Sequence, residues 1–311
     1  MKKLIFLLVA VMATRLLYAG DKDSLQLTAY QHIVDSVRSA LKYETGVVNL
    51  PNKVAKLNVP AGFKFLNAEQ SKFVITELWG NPPREDVDGM IFPVNADPFS
   101  DSSYAFIISY DAMGYVKDED ADEMDYDKLL KQMQEEEPEA NKERAKLGYE
   151  SIHMIGWAQK PYYDKENKVL HWAKELKFGE DDGVHTLNYD VRILGRKGIL
   201  SLNAVGTMAE LPLVKKDIGK VLHMATFTEG NAYKDFDSNI DEVAAWTIGG
   251  LVAGKLLAKA GILVVLAKFW KLIAIGLVAA GGFIMKFFRR KRNEEPEVAV
   301  APVENNNETN A

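Results

Sequence analysis

The chain has 311 residues, 47% of them apolar and 26% charged, with a net charge of −6, a usage that excludes a disordered, collagen-like or wholly membrane-embedded polymer. It has no cysteine, so disulfides, thiolate metal sites and cysteine nucleophiles are ruled out together, and the acid excess argues against nucleic acid as a partner. Both ends are strongly biased in composition, leaving roughly 220 residues between them for one sizeable domain.

At the start, Lys2 and Lys3 precede an apolar run from Leu4 to Met12, and the small residues Ala13, Ala19 and Gly20 follow before Asp21. That order is the charged, apolar and cleavage-zone sequence of a secretory leader. Residues 1–19 read as a signal peptide cut after Ala19, with Ala13 as the alternative site. Nine apolar residues are too few to cross a hydrocarbon core of about 30 Å.

Residues 20–241 are expected to form the exported domain. Tyr30, Ile33, Val34, Val37 and Leu41 recur at helical spacing, and the helix should end near Gly46. Apolar runs at Val47–Leu50, Val54–Val59 and Phe63–Leu66, separated by Pro51-Asn52 and Pro60-Ala-Gly62, predict a strand meander. A second helix over Ala68–Leu78 is stopped by Gly80-Asn-Pro-Pro83, and Tyr104–Tyr110 is a strand. Tyr126, Leu129, Leu130 and Met133 mark a third helix capped by Asp125, which Pro138 should end or kink.

The later half is mostly sheet. Leu170, Trp172, Leu176 and Phe178 share one parity, as do Leu187, Tyr189, Val191 and Ile193, and Gly195-Arg-Lys-Gly198 turns the chain into a returning strand. Leu187–Val205 therefore predicts a hairpin. Pro212 opens a last helix with Val214, Ile218, Val221, Leu222 and Ala225 on one face. Nothing demands a parallel doubly wound sheet, so the expected class is α+β, an antiparallel sheet covered by helices and followed by a C-terminal transmembrane segment.

Trp246–Phe288 is 43 residues long and its only charges are five lysines. As one straight helix it would reach about 65 Å, twice one crossing. Residues 242–268 read as an amphipathic, glycine-rich helix beside the membrane and 269–288 as the span, since a crossing centred earlier would bury Lys255 and Lys259. A hairpin of two spans is the alternative. With a cleaved leader, one crossing puts Arg289, Arg290, Lys291 and Arg292 on the cytoplasmic side, where basic clusters belong, and 289–311 forms a disordered tail. The expected location is the bacterial inner membrane, single-pass, with the large domain in the periplasm. Gly250, Gly254, Ala258 and Gly261 form a small-residue stripe that could pack a second copy, although such residues are common in these segments.

No phosphate loop, dinucleotide fingerprint, zinc-protease motif or nucleophile elbow is present. Asp118, Asp120 and Asp122 alternate as in a calcium loop, but Glu123 stands where the turn glycine belongs and Leu129 where the bidentate glutamate does. They read as a solvated acidic loop. Ser39-Ala-Leu-Lys42 matches a serine–lysine pair without its partner motifs. His32, His153, His171, His185 and His223 show no ligand spacing. No catalytic residue, metal site or cofactor is assigned. The set with binding potential is Asn188, Asp190 and Arg192 on one strand face, with Ser201 and Asn203 on the returning strand. Together they make either a polar surface for a ligand or a solvated face laced by an Asp190–Arg192 pair.

Leu78-Trp-Gly-Asn-Pro-Pro83, Gly114-Tyr-Val-Lys-Asp118, Asp125-Tyr-Asp-Lys-Leu-Leu130, Gly156-Trp-Ala158, Leu187-Asn-Tyr189, Leu194-Gly-Arg-Lys-Gly198 and Tyr233-Lys-Asp-Phe236 together make the chain resemble the domain of unknown function 2167 family, membrane-anchored bacterial proteins. The likeness spans roughly Thr45 to Arg292. It implies an exported domain with a C-terminal anchor and supplies no catalytic residues. The sheet with its terminal helix is also faintly similar to the photosystem-accessory PsbP-like fold. The leading expectation is a non-enzymatic envelope module that binds an envelope protein or a lipid-associated ligand, with a homo-oligomer through the glycine-rich helix as a further expected partnership. The alternative is a membrane-proximal hydrolase whose residues meet only in the fold, marked by a cleft holding His171 or His185 beside a carboxylate.

Overall fold

The computed structural model describes residues 22–121, 124–180 and 183–253. Helix α1 (Lys22–Ala40) precedes β1 (Tyr43–Glu44), β2 (Gly46–Asn49), β3 (Ala55–Val59) and β4 (Phe63–Asn67). Helix α2 (Ala68–Phe73) follows, capped by Asn67, whose side chain accepts from the Gln70 N–H. It widens into a π-helical turn over Val74–Leu78, and Gly80, at φ 66°, turns the chain away. Then come β5 (Gly89–Pro93), β6 (Ala105–Asp111), α3 (Tyr126–Lys146), and β7 (Ile152–Asp164), β8 (Val169–Phe178), β9 (Thr186–Leu194) and β10 (Ile199–Thr207). Helix α4 (Leu211–Met224) leads into β11 (Ala225–Phe227), and α5 (Ile248–Ala253) is the last described element.

Eight strands form one antiparallel sheet in the order β1-β4-β5-β6-β10-β9-β8-β7, and β11-β3-β2 form a second. The class is α+β, as the patterning predicts. The expected meander is divided: β2 and β3 pair with each other, but β4 joins β1 and β5 in the large sheet. Pro60-Ala-Gly62 redirects the chain there instead of closing a hairpin.

One face of the large sheet carries Phe65, Phe106, Ile108, Leu187, Tyr189, Val191 and Leu202, which pack with the small sheet and α4. The opposite face is covered at its two ends only. Over β4–β6, Leu66, Met90 and Phe92 meet Val74 and Ile75 of the π turn. Over β8, Leu170 and Trp172 meet Leu129 of α3 and Ile248, Leu251 and Val252 of α5. Between these caps the middle strands are left open.

Pro138 neither ends nor breaks α3, which runs on to Lys146. The exposed proline forfeits one bond to water-accessible backbone, while the helix is held to β7 by its side chains. Gln134 Nε2 donates to Met154 O at 2.8 Å, Asn141 Nδ2 donates to Ile152 O at 3.0 Å, and Ile152 N donates back to Asn141 Oδ1 at 2.9 Å. Arg144 Nε reaches Glu150 O at 2.7 Å.

The packed body continues beyond Asp241. Val243 bridges to Tyr115, Ala244 N donates to Tyr115 O at 2.8 Å, and Gly249, Gly250 and Ile248 are buried. Residues 242–253, read from the sequence as the start of a membrane-proximal helix, thus belong to the domain. Gly250 donates its N–H to Thr247 Oγ1 at 3.0 Å and is enclosed by the body's own core, not presented to a second copy. Among the described residues no helix is long and apolar enough to cross a membrane. The leader 1–19, the span 269–288, Gly254, Ala258, Gly261, and Arg289, Arg290, Lys291 and Arg292 all lie outside the described residues.

Candidate functional site

The open middle of the sheet, and the β8 edge of the cap beside it, carry residues of one parity on four strands. Three rows cross β6, β10, β9 and β8: Ser109, Ser201, Arg192 and Leu170; Ile107, Asn203, Asp190 and Trp172; Ala105, Val205, Asn188 and Lys174. All five polar residues singled out from the sequence therefore stand side by side, because residues two apart on a strand point to the same face.

This surface is not a solvated one. Asp190 is 5% exposed and Ser201 2%. Arg192 donates from Nη1 to Ser201 Oγ and from Nη2 to Asp190 Oδ1 at 3.3 Å, and its guanidinium lies 5.5 Å from the Trp172 ring centroid. Asn188 and Asn203 exchange amide bonds, Nδ2 to Oδ1, at 3.3 and 2.9 Å. The Asp190–Arg192 pair is present, but within a groove.

The walls come from the caps on either side. At the apolar end, a cleft of about 570 Å³ is lined by Ile75, Trp79, Pro82, Phe92, Leu176 and Val205 among others. Trp79 is fixed there by its Nε1 bond to Pro98 O at 3.1 Å. At the polar end, a cleft of about 500 Å³ is lined by Arg84, Asp86, Ser109, Asp190, Arg192 and Ser201, with Asp111 at the exposed rim. Both clefts share Arg84, Ile107, Asn188 and Asn203, so they form one groove, apolar at one end and polar at the other. Each volume falls in the range of about 300 to 1,000 Å³ usual for small-molecule sites.

Arg84 grips Asp86 as a fork, Nε to Oδ1 at 3.0 Å and Nη2 to Oδ2 at 2.5 Å. That bond, more than the opposing cost of burial, holds the Asp86 carboxyl below its ordinary range, with Arg192 adding to the effect. Lys174 stands beside Asn188 on β8. Burial pushes its ammonium below the usual lysine range, Asp190 pulls it back, and Arg192 pushes it down further.

Sequence reading overlooked Lys174, although its parity, between Trp172 and Leu176 on an otherwise apolar face, is a usable signal. Arg84, Asp86 and Trp79 come from a turn and a loop with no periodicity to place them.

The histidines are elsewhere. His171 is buried on the opposite face, stacked on Tyr162 at 4.6 Å, and burial lowers its pKa to about 4. His185 Nδ1 meets Glu175 at 2.6 Å, and His153 Nδ1 meets Glu137 at 3.0 Å. None of the five lines the groove, so the mark set for a hydrolase is not met in it. Ser39 bonds back to Ser36 O on α1. Asp118, first of the alternating acids, accepts from Tyr163 Oη, Lys168 Nζ and Tyr233 Oη at 2.8, 2.9 and 3.1 Å. Among the described residues no group of three metal-binding side chains gathers.

Residues 42–282 match the family model described as Protein of unknown function (DUF2167). The chain belongs to this family. In this DUF2167 chain the match begins just after α1 and takes in the whole groove and α5. No curated protein matches the sequence. Similar solved structures include the solution structure of cyanobacterial PsbP (CyanoP) from Synechocystis sp. PCC 6803, at 12% identity over 60% of this chain and 92% of that one, with a TM-score of 0.33. The Saccharomyces cerevisiae Ran-binding protein Mog1p is similar at 8% identity over 60% of this chain and 96% of its own, with a TM-score of 0.29. A point-mutant form of Mog1 gives 8% identity, the same coverages and a TM-score of 0.31.

Proposed function

We propose that this chain is a non-enzymatic binding module of the bacterial envelope, whose groove holds an amphipathic ligand associated with lipid. The observation that carries this is the groove itself, an apolar cleft continuous with a polar one on the uncovered middle of a sheet. Signal-like residues 1–19 and the apolar run before Arg289–Arg292 support export of the domain and anchoring by 269–288 in the inner membrane, with 289–311 in the cytoplasm. In this reading a second copy is recruited through Gly254, Ala258 and Gly261 alone, since Gly250 is already packed inside the body.

The full-length chain, purified in amphipol and examined by native mass spectrometry, is expected to retain a small amphiphile. Val205→Trp, which fills the apolar end from a half-buried strand position, should lower its occupancy at least fivefold without lowering the melting temperature. Retention of no amphiphile by the wild-type chain, or equal retention by the variant, refutes the reading. A C-terminal reporter active only outside the cytoplasm should stay silent, and activity would refute the single crossing.

A further inference from the structure

The charges inside the polar end of the groove answer one another. Arg84 forks onto Asp86 at 3.0 and 2.5 Å, and Arg192 donates to Asp190 at 3.3 Å and to Ser201 Oγ. The two pairs are also coupled in alternating sign: Asp190 helps hold the proton on Arg84, and Arg192 helps keep one off Asp86. The remaining carboxylate, Asp111, lies on the exposed rim, where water screens it. Lys174 lines neither cleft. The seat therefore holds no unanswered charge for a charged head to neutralise.

What the seat retains is hydrogen-bonding capacity of both kinds. Asn188 and Asn203 each give one N–H and one oxygen lone pair to the other, and each amide has a second of both. A guanidinium carries five N–H groups, of which Arg84 and Arg192 each commit two to the bonds just named. Ser109 adds a hydroxyl to the same lining. The floor groups stand in rows, Ser109, Ser201 and Arg192 in one, Asn203 and Asp190 in the next. Neighbours are about 4.8 Å apart from strand to strand and about 7 Å apart along a strand. A lone hydroxyl or amide reaches one or two of these groups, whereas a ring with hydroxyls on several sides reaches both rows.

Resting on the reading of the groove as a ligand site, we infer that its occupant is an amphiphile with an uncharged, polyhydroxylated head, a glycosyl group, seated over Asn188, Asn203 and Ser109 between the two charge pairs. Its tail lies along Ile75, Trp79, Phe92 and Val205. Each hydroxyl both donates and accepts, so it meets an amide, a carboxylate or a guanidinium without adding charge. A carboxylate or ammonium head would lose its water there with no free counter-charge to receive it, which is costly.

The test is calorimetric titration of the full-length chain in amphipol at pH 7 with octyl glucoside, octanol, octanoate and octylammonium, each below its micellar concentration, and with free glucose. Octyl glucoside is expected to bind at least fivefold tighter than every other probe. Asn203→Leu, at a half-buried position of the floor, should weaken octyl glucoside at least fivefold and shift octanol less than twofold, a split that a loosened fold would not give. A preference under fivefold in the wild-type chain overturns the inference, and that comparison needs no variant. Undiminished glucoside binding by the variant overturns it as well, and glucose binding as tightly as its octyl derivative removes the tail's seat. Equal binding of the four octyl probes removes the head assignment and leaves the groove standing; binding of none of the five removes the groove reading too.

Discussion

Replacing Asp118 with alanine should loosen the segment that leads to α5. The carboxylate, 22% exposed, accepts from two phenols and one ammonium. Tyr233 stacks on Tyr115 at 4.4 Å, and Tyr115 on Phe236 at 3.9 Å, so the bond to Tyr233 ties residues 233–236 to the body. Hydrogen bonds to a charged acceptor contribute about 1.5 to 3 kcal/mol each when half-buried. The Lys168 pair, with a side chain 35% exposed, adds less than about 1 kcal/mol. The sum is about 3 to 7 kcal/mol, which water reaching the freed phenols lowers to about 3 to 5 kcal/mol. For a body of roughly 230 residues, each kcal/mol shifts the midpoint by about 2 to 4 °C, so the melting temperature should fall by about 6 to 20 °C. The assay is thermal unfolding of wild-type and Asp118→Ala chains by circular dichroism at pH 7. Burial alone would raise the Asp118 pKa, but bonds from Lys168, Tyr163 and Tyr233 outweigh it and set it below the ordinary value. The stabilisation is therefore complete above the unfolded carboxyl pKa of about 3.9 and is lost as pH falls through the lower folded value. A drop under 3 °C at pH 7, or a difference between the chains that persists well below pH 2, would show that the carboxylate does not hold this segment.

Further expectations concern other contacts. His171, lowered from 6.5 to about 4 by burial, stays neutral in the fold while the unfolded chain takes up a proton. Stability should therefore rise between about pH 4 and 6.5 by up to about 3 kcal/mol; urea midpoints across that range should show a slope that His171→Phe flattens, and an unchanged slope counts against it. Gly198→Ala would place a Cβ 2.0 Å from Asp111 O, so the turn must open; a loss of about 3 kcal/mol or more in urea unfolding is expected, and wild-type stability would contradict the contact. Leu251→Ala, at a 5% exposed position of α5, should cost about 2 to 5 kcal/mol; a change below 0.5 kcal/mol would mean that α5 does not pack on α3 and β8.

What the sequence discloses tracks how regular the burial is. The β9–β10 hairpin was legible because Leu187, Tyr189 and Val191 go inward while Asn188, Asp190 and Arg192 go to the other face. Strand β5 was not, since its first four residues are all buried and give no alternation. Strand β7 was also missed, because register shifts at Met154/Gly156, Trp157/Gln159 and Gln159/Tyr162 break the period of two. Of the groove, the floor could be read from parity. The walls could not, because Trp79, Arg84 and Asp86 reach it from irregular backbone whose course depends on packing far along the chain.

The long outer strand β7 has a further consequence. A bare edge of 13 residues is a template on which another extended chain can add itself, the first step toward aggregation. Here Pro161 removes one donor, the bulges bend the ladder, and Gln134 and Asn141 of α3 bond to backbone groups of the strand. By answering both the N–H and the C=O of Ile152, the Asn141 amide acts as a one-residue neighbouring strand. At the start of β7 a helix thus takes the place of a neighbouring strand, without itself offering an edge to the next molecule.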